Sequence, residues 1–449
     1  MRVTTASALA RDLREGRRDP LDLLDEVFAR IAEVDDPAIF TETLRPRAEA
    51  EARASRERLR AGLPASMLDG VPVAWKDLYD LKGRVTTAGS VVLASNRPAA
   101  QDAALVNAGA RAGLVSIGAL NLVEFAFSGI GLNPHFGTPR NPHGLGPARA
   151  PGGSSSASGV AVANDIVPIA FGTDTGGSIR IPAAFNGVVG YKTSTGHYPM
   201  TGVFPLSRTL DTLGPIAHTV EDCVLVDAVL RGLQAPIVQA APITALDFVI
   251  PDSVMLDTLS PAVASNFAAT VARLERAGAR VRHIALPELA ETLNVFASRA
   301  ALVAIEALDV HWDRLHGPDA ARMDARVVRR IMTAMPTTAI ELVILLRERK
   351  RLIAKVTASL DNALLICPTT PTVAMPIAAL EADQDVFFRH NGLTLRNTSL
   401  GNFLDWCGLS IPNGFDPDSM PTGFMISAPH GRDKALLAAG LAVEQIVRG

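Results

Sequence analysis

Serine, threonine and glycine are concentrated in two short segments of this 449-residue chain. The first is PGGSSSASG at 151–159, and the second is FGTDTGGSIRIP at 171–182. A Gly-Gly-Ser turn exposes backbone N–H groups beside a hydroxyl, which suits an oxyanion or a phosphate equally well. These two segments are therefore the first candidates for chemistry.

A lysine inside an apolar run is the third candidate. Six of the 43 Lys and Arg residues are lysines, and one of them, Lys76, lies in VPVAWKDLYDL. Genomic base composition accounts for most of the excess of arginine over lysine. A buried lysine can nevertheless lose its proton, whereas an arginine cannot. A neutral Lys76 could take a proton from one serine, which takes it from a second, nucleophilic serine. Structural turns and a structural lysine are the alternative interpretation of the same residues.

Other common active-site motifs are missing from the sequence. The nearest match to a phosphate-binding loop, GVVGYKTS at 187–194, has a tyrosine before its lysine, and a GxGxxG pattern breaks at Pro134. The sequence has no GxSxG, no serine three residues before a lysine and no HExxH. Cys223, Cys367 and Cys407 are isolated and lack a Gly-rich turn, so we interpret them as buried, reduced thiols. A net charge of −3 argues against a broad surface for nucleic acid.

The apolar pattern predicts the elements that position these candidates. Helical spacing dominates 1–60, and from residue 69 short apolar strands alternate with helices, as in a layered α/β sheet. We expect a single α/β/α domain over 1–449, built around a mixed, largely parallel sheet with an N-terminal helical segment. That segment can pack on the body or on a second copy, which leaves a homodimer open. No stretch reaches the roughly 18 apolar residues of a membrane span and no secretory signal is visible, so we expect a cytoplasmic protein.

Four sequence blocks between Asp69 and Asp222 resemble the amidase signature family of serine hydrolases. DGVPVAWKD is similar to the family's lysine block, and PGGSSSASG is similar to its Gly-Gly-Ser-Ser block. TDTGGSIRIPAAFNGVVGYK resembles the nucleophile block, and LDTLGPIAHTVED resembles the segment that follows it. Ser154 precedes Ser178 by 24 residues, as the family pattern requires. The resemblance makes 69–222 the expected catalytic core.

The resemblance implies a role for each matching residue. Ser178 would be the nucleophile, Ser154 the bridging serine and Lys76 the neutral general base. The family also has a cis peptide bond before the bridging serine, which here would join Gly153 to Ser154. Ser155 would support the relay by hydrogen bonding.

The resemblance further implies how the nucleophile loop is built. The backbone N–H groups of Thr175, Gly176, Gly177 and Ser178 would form the oxyanion hole. Asp174 and Arg180 flank the nucleophile, and we predict an ion pair between them that shapes the loop, rather than direct contacts with the substrate.

The activity implied by the resemblance is hydrolysis of a linear carboxylic amide of small size through an acyl-enzyme, with no metal and no cofactor. Esters and carbamates present the same carbonyl and are expected as secondary substrates. The alternative is the glutaminase (A-type) subunit of a tRNA-dependent amidotransferase complex, whose catalytic blocks would look the same.

Substrate choice is expected to depend on segments outside the four blocks. One hypothesis is an apolar acyl pocket lined by Phe125, Phe127, Ile130, Leu132 and Trp406. The other is a polar subsite in which Arg396 and Asn397 hold a carboxylate or a ureido group. The sequence does not rank the two.

Overall fold

A mixed sheet of eleven strands with flanking helices organises the computed structural model, which describes residues 4–449. The strands are β1 (Phe40–Thr43), β2 (Pro72–Lys76), β3 (Val115–Leu120), β4 (Ile169–Asp174), β5 (Val189–Lys192), β6 (Thr212–Ala217), β7 (Asp247–Pro251), β8 (Arg280–Ile284), β9 (Leu364–Pro368), β10 (Trp406–Phe415) and β11 (Pro421–Pro429). The helices are α1 (Ala6–Arg14), α2 (Pro20–Val34), α3 (Arg45–Arg60), α4 (Ala104–Arg111), α5 (Ser156–Ala163), α6 (Arg180–Phe185), α7 (Val220–Leu230), α8 (Pro261–Arg276), α9 (Pro287–Ser298), α10 (Leu302–Leu315), α11 (Ala325–Met332), α12 (Ala339–Leu360), α13 (Ile377–Ala382), α14 (Gln384–Phe403) and α15 (Asp433–Arg448). The predicted α/β architecture is confirmed.

The balance of strand directions differs from the prediction. The strand order is β1-β3-β2-β4-β6-β5-β10-β11-β9-β7-β8. Only the pairings of β2 with β3 and β4, and of β7 with β8 and β9, are parallel within residues 4–449. The six other pairings are antiparallel, so the expectation of a largely parallel sheet is wrong. The reason is that β5, β6, β10 and β11, which fill the middle of the sheet, are not linked by helical crossovers of the βαβ type.

The N-terminal segment is helical as predicted, with one strand added. Asp19 caps α2 by accepting a hydrogen bond from the Leu21 N–H at 2.9 Å, and Pro20 occupies the first helical position. A proline fits there because the first N–H groups of a helix have no intrahelical partner. Strand β1, which the helical pattern concealed, pairs antiparallel with β3 at the edge of the sheet.

Strands β2 and β4 bring two of the sequence blocks together. They pair in parallel, with Val73 opposite Ile169 and Trp75 opposite Phe171, and the two aromatic rings stack with centroids 4.7 Å apart. Every residue of both strands is buried. Because the carboxyl ends of parallel strands meet at one edge of a sheet, the end of β2 at Lys76 lies beside the end of β4.

A long helix, α12, precedes β9. Thr338 and Glu341 form a reciprocal capping box at its start, which satisfies two backbone N–H groups. Neither this helix nor any other between residues 4 and 449 combines the length and the apolar character that crossing a bilayer requires.

Candidate active site

Lys76 lies at the end of β2 and contacts both serine-rich segments. Its side chain is completely buried, and its Nζ donates hydrogen bonds to Ser154 Oγ and Thr173 Oγ1, both at 2.8 Å. Ser154 belongs to the loop before α5, and Thr173 belongs to β4. The strand pairing of β2 with β4 therefore delivers the lysine to two hydroxyl groups.

Burial changes the protonation of this lysine. Loss of solvation lowers the pKa of Lys76 to about 7, although the negative charges of Asp211 and Asp174 partly oppose that effect. Desolvation acts in this direction because it disfavours the charged amine. A substantial fraction of Lys76 is thus neutral near pH 7.

The loop that carries Ser154 is fixed to the loop that carries Ser178. The Gly153–Ser154 peptide bond is cis, as the family resemblance implied. The Ser155 N–H donates to the Ser178 carbonyl oxygen at 3.2 Å, and the Ser155 hydroxyl donates to the Thr173 carbonyl oxygen at 3.3 Å. Ser155 thus joins both serine-rich segments.

Ser178 occupies the turn between β4 and α6. Its side chain is 4% exposed, and its hydroxyl forms no hydrogen bond with any residue from 4 to 449. The preceding Gly177 has a φ of 133° in contact with α14, where an added Cβ would lie 2.2 Å from Thr398 Oγ1. Only glycine tolerates both that backbone conformation and that contact. The turn leaves the Ser178 hydroxyl facing a cavity.

The backbone N–H groups around Ser178 fall into two classes. The Gly177 N–H donates to Asp174 Oδ1 at 2.8 Å. The N–H groups of Thr175, Gly176 and Ser178 form no hydrogen bond with residues 4–449. Three of the four N–H groups named from the sequence are therefore available to an oxyanion, and the fourth holds the loop.

Asp174 and Arg180 form the ion pair predicted from the sequence. Arg180 Nη2 lies 3.0 Å from Asp174 Oδ1, and both side chains are buried. Burial raises the pKa of Asp174, but the charge and the hydrogen bonds of Arg180 outweigh that effect and hold the pKa well below its usual range. Asn402 completes the cluster, since it donates to Asp174 Oδ1 at 2.9 Å and accepts from Arg180 at 2.6 Å.

Helix α14 supplies contacts that sequence reasoning missed. Thr398 Oγ1 donates to the Gly176 carbonyl oxygen at 2.7 Å, and Asn391 Oδ1 accepts from the Ser128 hydroxyl at 3.0 Å. A stripe of buried polar residues at helical spacing could have indicated this face: Asn391, Thr394, Thr398 and Asn402. Thr173 was also missed, and its only sequence signal is its place next to Asp174.

A cavity of about 220 Å³ opens in front of Ser178. Its walls are mostly apolar and come from widely separated segments: Ala126, Phe127, Ser128, Thr175, Gly176, Ser178, Leu206, Leu210, Phe296, Ala301, Leu302, Val303, Arg330, Gly392, Leu395, Ser399 and Phe403. Of the five apolar residues proposed from the sequence, only Phe127 lies on these walls. No Asp or Glu among residues 4–449 is on them.

The polar hypothesis for the pocket was wrong about the residues. Arg396 and Asn397 both donate to the carbonyl oxygen of Met255, at 3.3 and 2.9 Å, and Asn397 also donates to that of Pro368. These bonds hold the backbone around them, and neither side chain lines the cavity. The cationic residue that does line it is Arg330.

Arg330 lies in the cavity wall without an acidic partner. Its guanidinium donates to the Phe127 carbonyl oxygen and lies 4.1 Å from the centre of the Phe127 ring. Burial lowers the pKa of Arg330 to about 10, so the side chain stays charged at neutral pH. Within residues 4–449 no carboxylate forms an ion pair with it. Arg330 is only partly exposed, and a cation shielded from water in this way is costly unless an anion joins it.

Comparison with known proteins identifies the family of this chain. The family model described as Amidase matches residues 22–437. The chain is 34% identical to 2-amino-5-chloromuconic acid deaminase of Comamonas testosteroni over 89% of this chain and 87% of that protein. It is 31% identical to the A-type subunit of the glutamyl-tRNA(Gln) amidotransferase of Cupriavidus taiwanensis, over 99% of this chain and 96% of that one.

A solved structure supports the same assignment. A crystal structure described as an amidase superposes with a TM-score of 0.88 at 30% sequence identity, covering 99% of this chain and all of that one. The family model covers most of the chain, and the relatives align over most of their own lengths. The chain therefore belongs to the amidase family, the amidase-signature hydrolases that act on C–N bonds.

Proposed function

We propose that this protein hydrolyses a carboxylic amide through an acyl-enzyme formed on Ser178. The observation that carries the proposal is the hydrogen bond from Lys76 Nζ to Ser154 Oγ, directly behind the loop that presents Ser178 to the cavity. A lysine with a pKa of about 7 can act as a base near neutral pH. Both hydroxyl groups can accept and donate protons, so they can pass one to the amine.

The proposed reaction consists of acylation of Ser178, departure of the amine and hydrolysis of the acyl-enzyme. Ser178 Oγ attacks the amide carbonyl while its proton passes to Ser154 and the proton of Ser154 passes to neutral Lys76. The proton returns by the same path to the leaving nitrogen, the C–N bond breaks, and the amine departs. Water attacks the acyl-enzyme with the same base and releases the acid. Hydrogen bonds of such relays often tighten only when substrate binds, which accounts for a Ser178 hydroxyl that has no partner here.

The tetrahedral intermediate carries a negative charge that must be stabilised. The N–H groups of Thr175, Gly176 and Ser178 lie free beside the attacking hydroxyl and can donate to that oxygen. The Gly177 N–H keeps the turn in shape through Asp174. Esters and carbamates present the same carbonyl oxygen and should react at the same site.

Arg330 indicates the class of amide. A charged arginine without a counter-ion in a small apolar cavity favours a substrate that bears its own carboxylate, because the two charges then neutralise each other through paired hydrogen bonds. The Comamonas relative acts, by its name, on an acid. We therefore assign small amides with a free carboxylate and an apolar body as the substrates.

The glutaminase subunit is the second candidate, supported by relatives that align along 99% of the chain. Glutamine also carries a carboxylate, but its α-ammonium group needs a negative partner. The cavity walls offer none among residues 4–449. This lack favours an amide without an ammonium group and makes L-glutamine a discriminating test substrate.

The nucleophile can be tested with the purified chain and a fluorophosphonate probe. The proposal predicts one adduct, mapped to Ser178 by peptide mass spectrometry, and no adduct on Ser178→Ala. Ser156→Ala is a matched control, because Ser156 is a buried serine of the neighbouring block with no proposed role. Labelling of another residue with Ser178 unmodified would reject the acyl-enzyme.

The substrate class can be tested with a pair of amides that differ in charge. Succinamate carries a carboxylate, and levulinamide has a methyl ketone of the same shape in its place. We expect kcat/KM for succinamate to exceed that for levulinamide by at least about 30-fold, and Arg330→Gln to abolish the preference. L-glutamine turned over as well as succinamate would favour the glutaminase, and equal rates for the matched pair would exclude the carboxylate subsite.

A further inference from the structure

Glu124 is a completely buried carboxylate outside the proposed relay. Its Oε1 accepts a hydrogen bond from the Ser90 hydroxyl at 2.6 Å, and its Oε2 accepts one from the Asp324 N–H at 2.6 Å. His135 Nε2 lies 3.0 Å from the same Oε1. A buried carboxylate must be satisfied by such donors, so both oxygen atoms are committed to neighbouring elements.

One of these bonds fixes the helix that carries Arg330. Asp324 is the N-cap of α11, and its Oδ1 accepts from the Arg326 N–H at 2.9 Å. Arg330 is the sixth residue of this short helix. Because Glu124 holds the backbone N–H of the cap itself, it sets where the helix begins and therefore where the arginine lies along the cavity wall.

The residues that follow Glu124 in sequence line the cavity beside the same arginine. Glu124 begins a single turn of 3₁₀ helix in which Phe125 and Ala126 have φ values of 51° and 60°. Residues with side chains adopt this left-handed conformation only where the surroundings enforce it. The turn delivers Ala126, Phe127 and Ser128 to the cavity.

A closed ring of contacts results. The Glu124 side chain reaches Asp324, α11 leads to Arg330, and Arg330 donates to the Phe127 carbonyl oxygen, three residues after Glu124. Burial raises the pKa of Glu124, whereas the hydrogen bonds from Ser90 and Asp324 oppose that effect. Both donors require acceptor oxygens, which the carboxylate supplies.

We propose that Glu124 is a positioning residue that holds Arg330 against the cavity and so sets the preference for substrates with a carboxylate. The inference rests on the proposed function of Arg330. It assigns to Glu124 no contact with the substrate and no part in the proton relay.

The variant Glu124→Gln tests this assignment, because it keeps the shape of the side chain but turns an N–H₂ group toward Ser90 or Asp324. The readout is the ratio of kcat/KM for succinamate to kcat/KM for levulinamide. We expect the ratio to fall at least about tenfold, through a higher KM for succinamate, while levulinamide hydrolysis changes less than about threefold. A residue with a merely structural role would lower both rates together.

Glu444→Gln is the matched control. Glu444 is also a buried carboxylate that accepts from a backbone N–H at the start of a helix, in this case that of Val220 in α7 at 3.0 Å, and it lies outside the cavity walls. Its variant should leave the ratio unchanged. Ser90→Ala is the second test should Glu124→Gln fold poorly, because it removes one donor and keeps the carboxylate; we expect about a threefold fall in the ratio.

The outcomes separate the two proposals. A wild-type enzyme that prefers succinamate, with a Glu124→Gln or Ser90→Ala variant that keeps the full preference, would overturn the role of Glu124 alone. A wild-type enzyme without the preference would overturn the role of Arg330 and that of Glu124 with it. A parallel loss of both rates in the folded Glu124→Gln variant would also overturn the positioning role.

Discussion

Two lysines between residues 4 and 449 are completely buried, and their surroundings differ in the chemistry of the acceptors. Lys76 donates to the hydroxyl groups of Ser154 and Thr173. Lys192, at the end of β5, donates to the carbonyl oxygens of Thr193 at 3.0 Å and Trp406 at 2.6 Å. Both pKa values are lowered by burial, to about 7 for Lys76 and about 8 for Lys192.

The comparison shows that a lowered pKa does not by itself identify a base. A carbonyl oxygen only accepts hydrogen bonds, so the partners of Lys192 favour its charged form. They also have no proton that a neutral Lys192 could accept. A hydroxyl also donates, so the partners of Lys76 can bond to the neutral amine as well. The negative charge of Asp174 favours the charged form of both lysines, so the acceptor groups alone distinguish them. We interpret Lys192 as a structural cation and Lys76 as the base.

The largest expected effect is on activity. Lys76→Arg keeps a positive charge but cannot accept a proton, so it should lower kcat/KM for succinamate by about 10³-fold or more, as should Lys76→Ala. Lys192→Met removes the other buried amine and should leave kcat/KM within about tenfold. Steady-state kinetics on variants with native circular dichroism would check both.

The contradicting result is specific. If Lys76→Arg retained most of the wild-type rate, the positive charge would be what the reaction needs, and the two lysines would differ only in position. A loss in Lys192→Met as large as that in Lys76→Ala would also remove the distinction.

The second effect is on stability and follows from proton linkage. An unfolded lysine titrates near about 10.4, whereas folded Lys76 titrates near 7, so the unfolded state binds more protons between those values. The free energy of unfolding therefore contains a penalty that shrinks as pH rises through this window. The two pKa values make this penalty about 4 kcal/mol at pH 7, and the loss of the two hydrogen bonds of Lys76 offsets about half of it, so Lys76→Met should be more stable than wild type by roughly 2 kcal/mol.

Urea unfolding at pH 7 and at pH 9.5 would measure this difference. The gain of Lys76→Met should shrink at the higher pH, because the wild-type penalty falls as the unfolded lysine loses its proton. A stability difference between Lys76→Met and wild type that stays the same at pH 7 and pH 9.5 would contradict a lowered pKa of Lys76 in the folded protein.

The third effect is on the pH dependence of wild-type kcat/KM. Only neutral Lys76 can accept a proton, so the rate should fall about tenfold per pH unit below about 7 and level off above it. Lys192→Met should keep the same midpoint. A rate independent of pH between 5 and 8 would contradict a lysine base.

The segments that meet at the candidate active site could be identified from sequence because the features that mark them are local. The Gly-Gly-Ser turns and the apolar run around Lys76 can each be recognised from a few neighbouring residues. Apolar patterns predict the strands and helices next to them. Strands β10 and β11 could not be predicted in the same way. β10 contains Pro412 and Gly414, and β11 contains Pro421 and Gly423, so both resemble loops in sequence. Only their pairing with each other and with β5 and β9 makes them strands.

The cavity in front of Ser178 could be predicted least, because it depends on contacts between distant segments. Arg330 lies 152 residues after Ser178 in sequence, and nothing near it marks it as a residue of the cavity wall. Arg396 seemed a better candidate by its position, yet its partners are backbone carbonyl oxygens. Helix α14 presents polar residues to the core, so an apolar pattern does not reveal which face it buries.

The smallest effect tests the hydroxyl environment itself. Thr173→Val keeps the shape of the side chain but removes one acceptor of Lys76 Nζ. Losing a hydrogen bond to the charged form lowers the pKa of the amine further, so the midpoint of the pH dependence should move to lower pH by about half a unit to one unit. The rate at the plateau should fall less than about tenfold, because Ser154 still bonds to the lysine.

Thr193→Val is the matched control, because the Thr193 hydroxyl donates to the Leu213 carbonyl oxygen beside Lys192. This variant should leave the midpoint unchanged. A midpoint that moves to higher pH in Thr173→Val would show that Thr173 stabilises the neutral amine, and the hydroxyl pair would then favour the base rather than its conjugate acid.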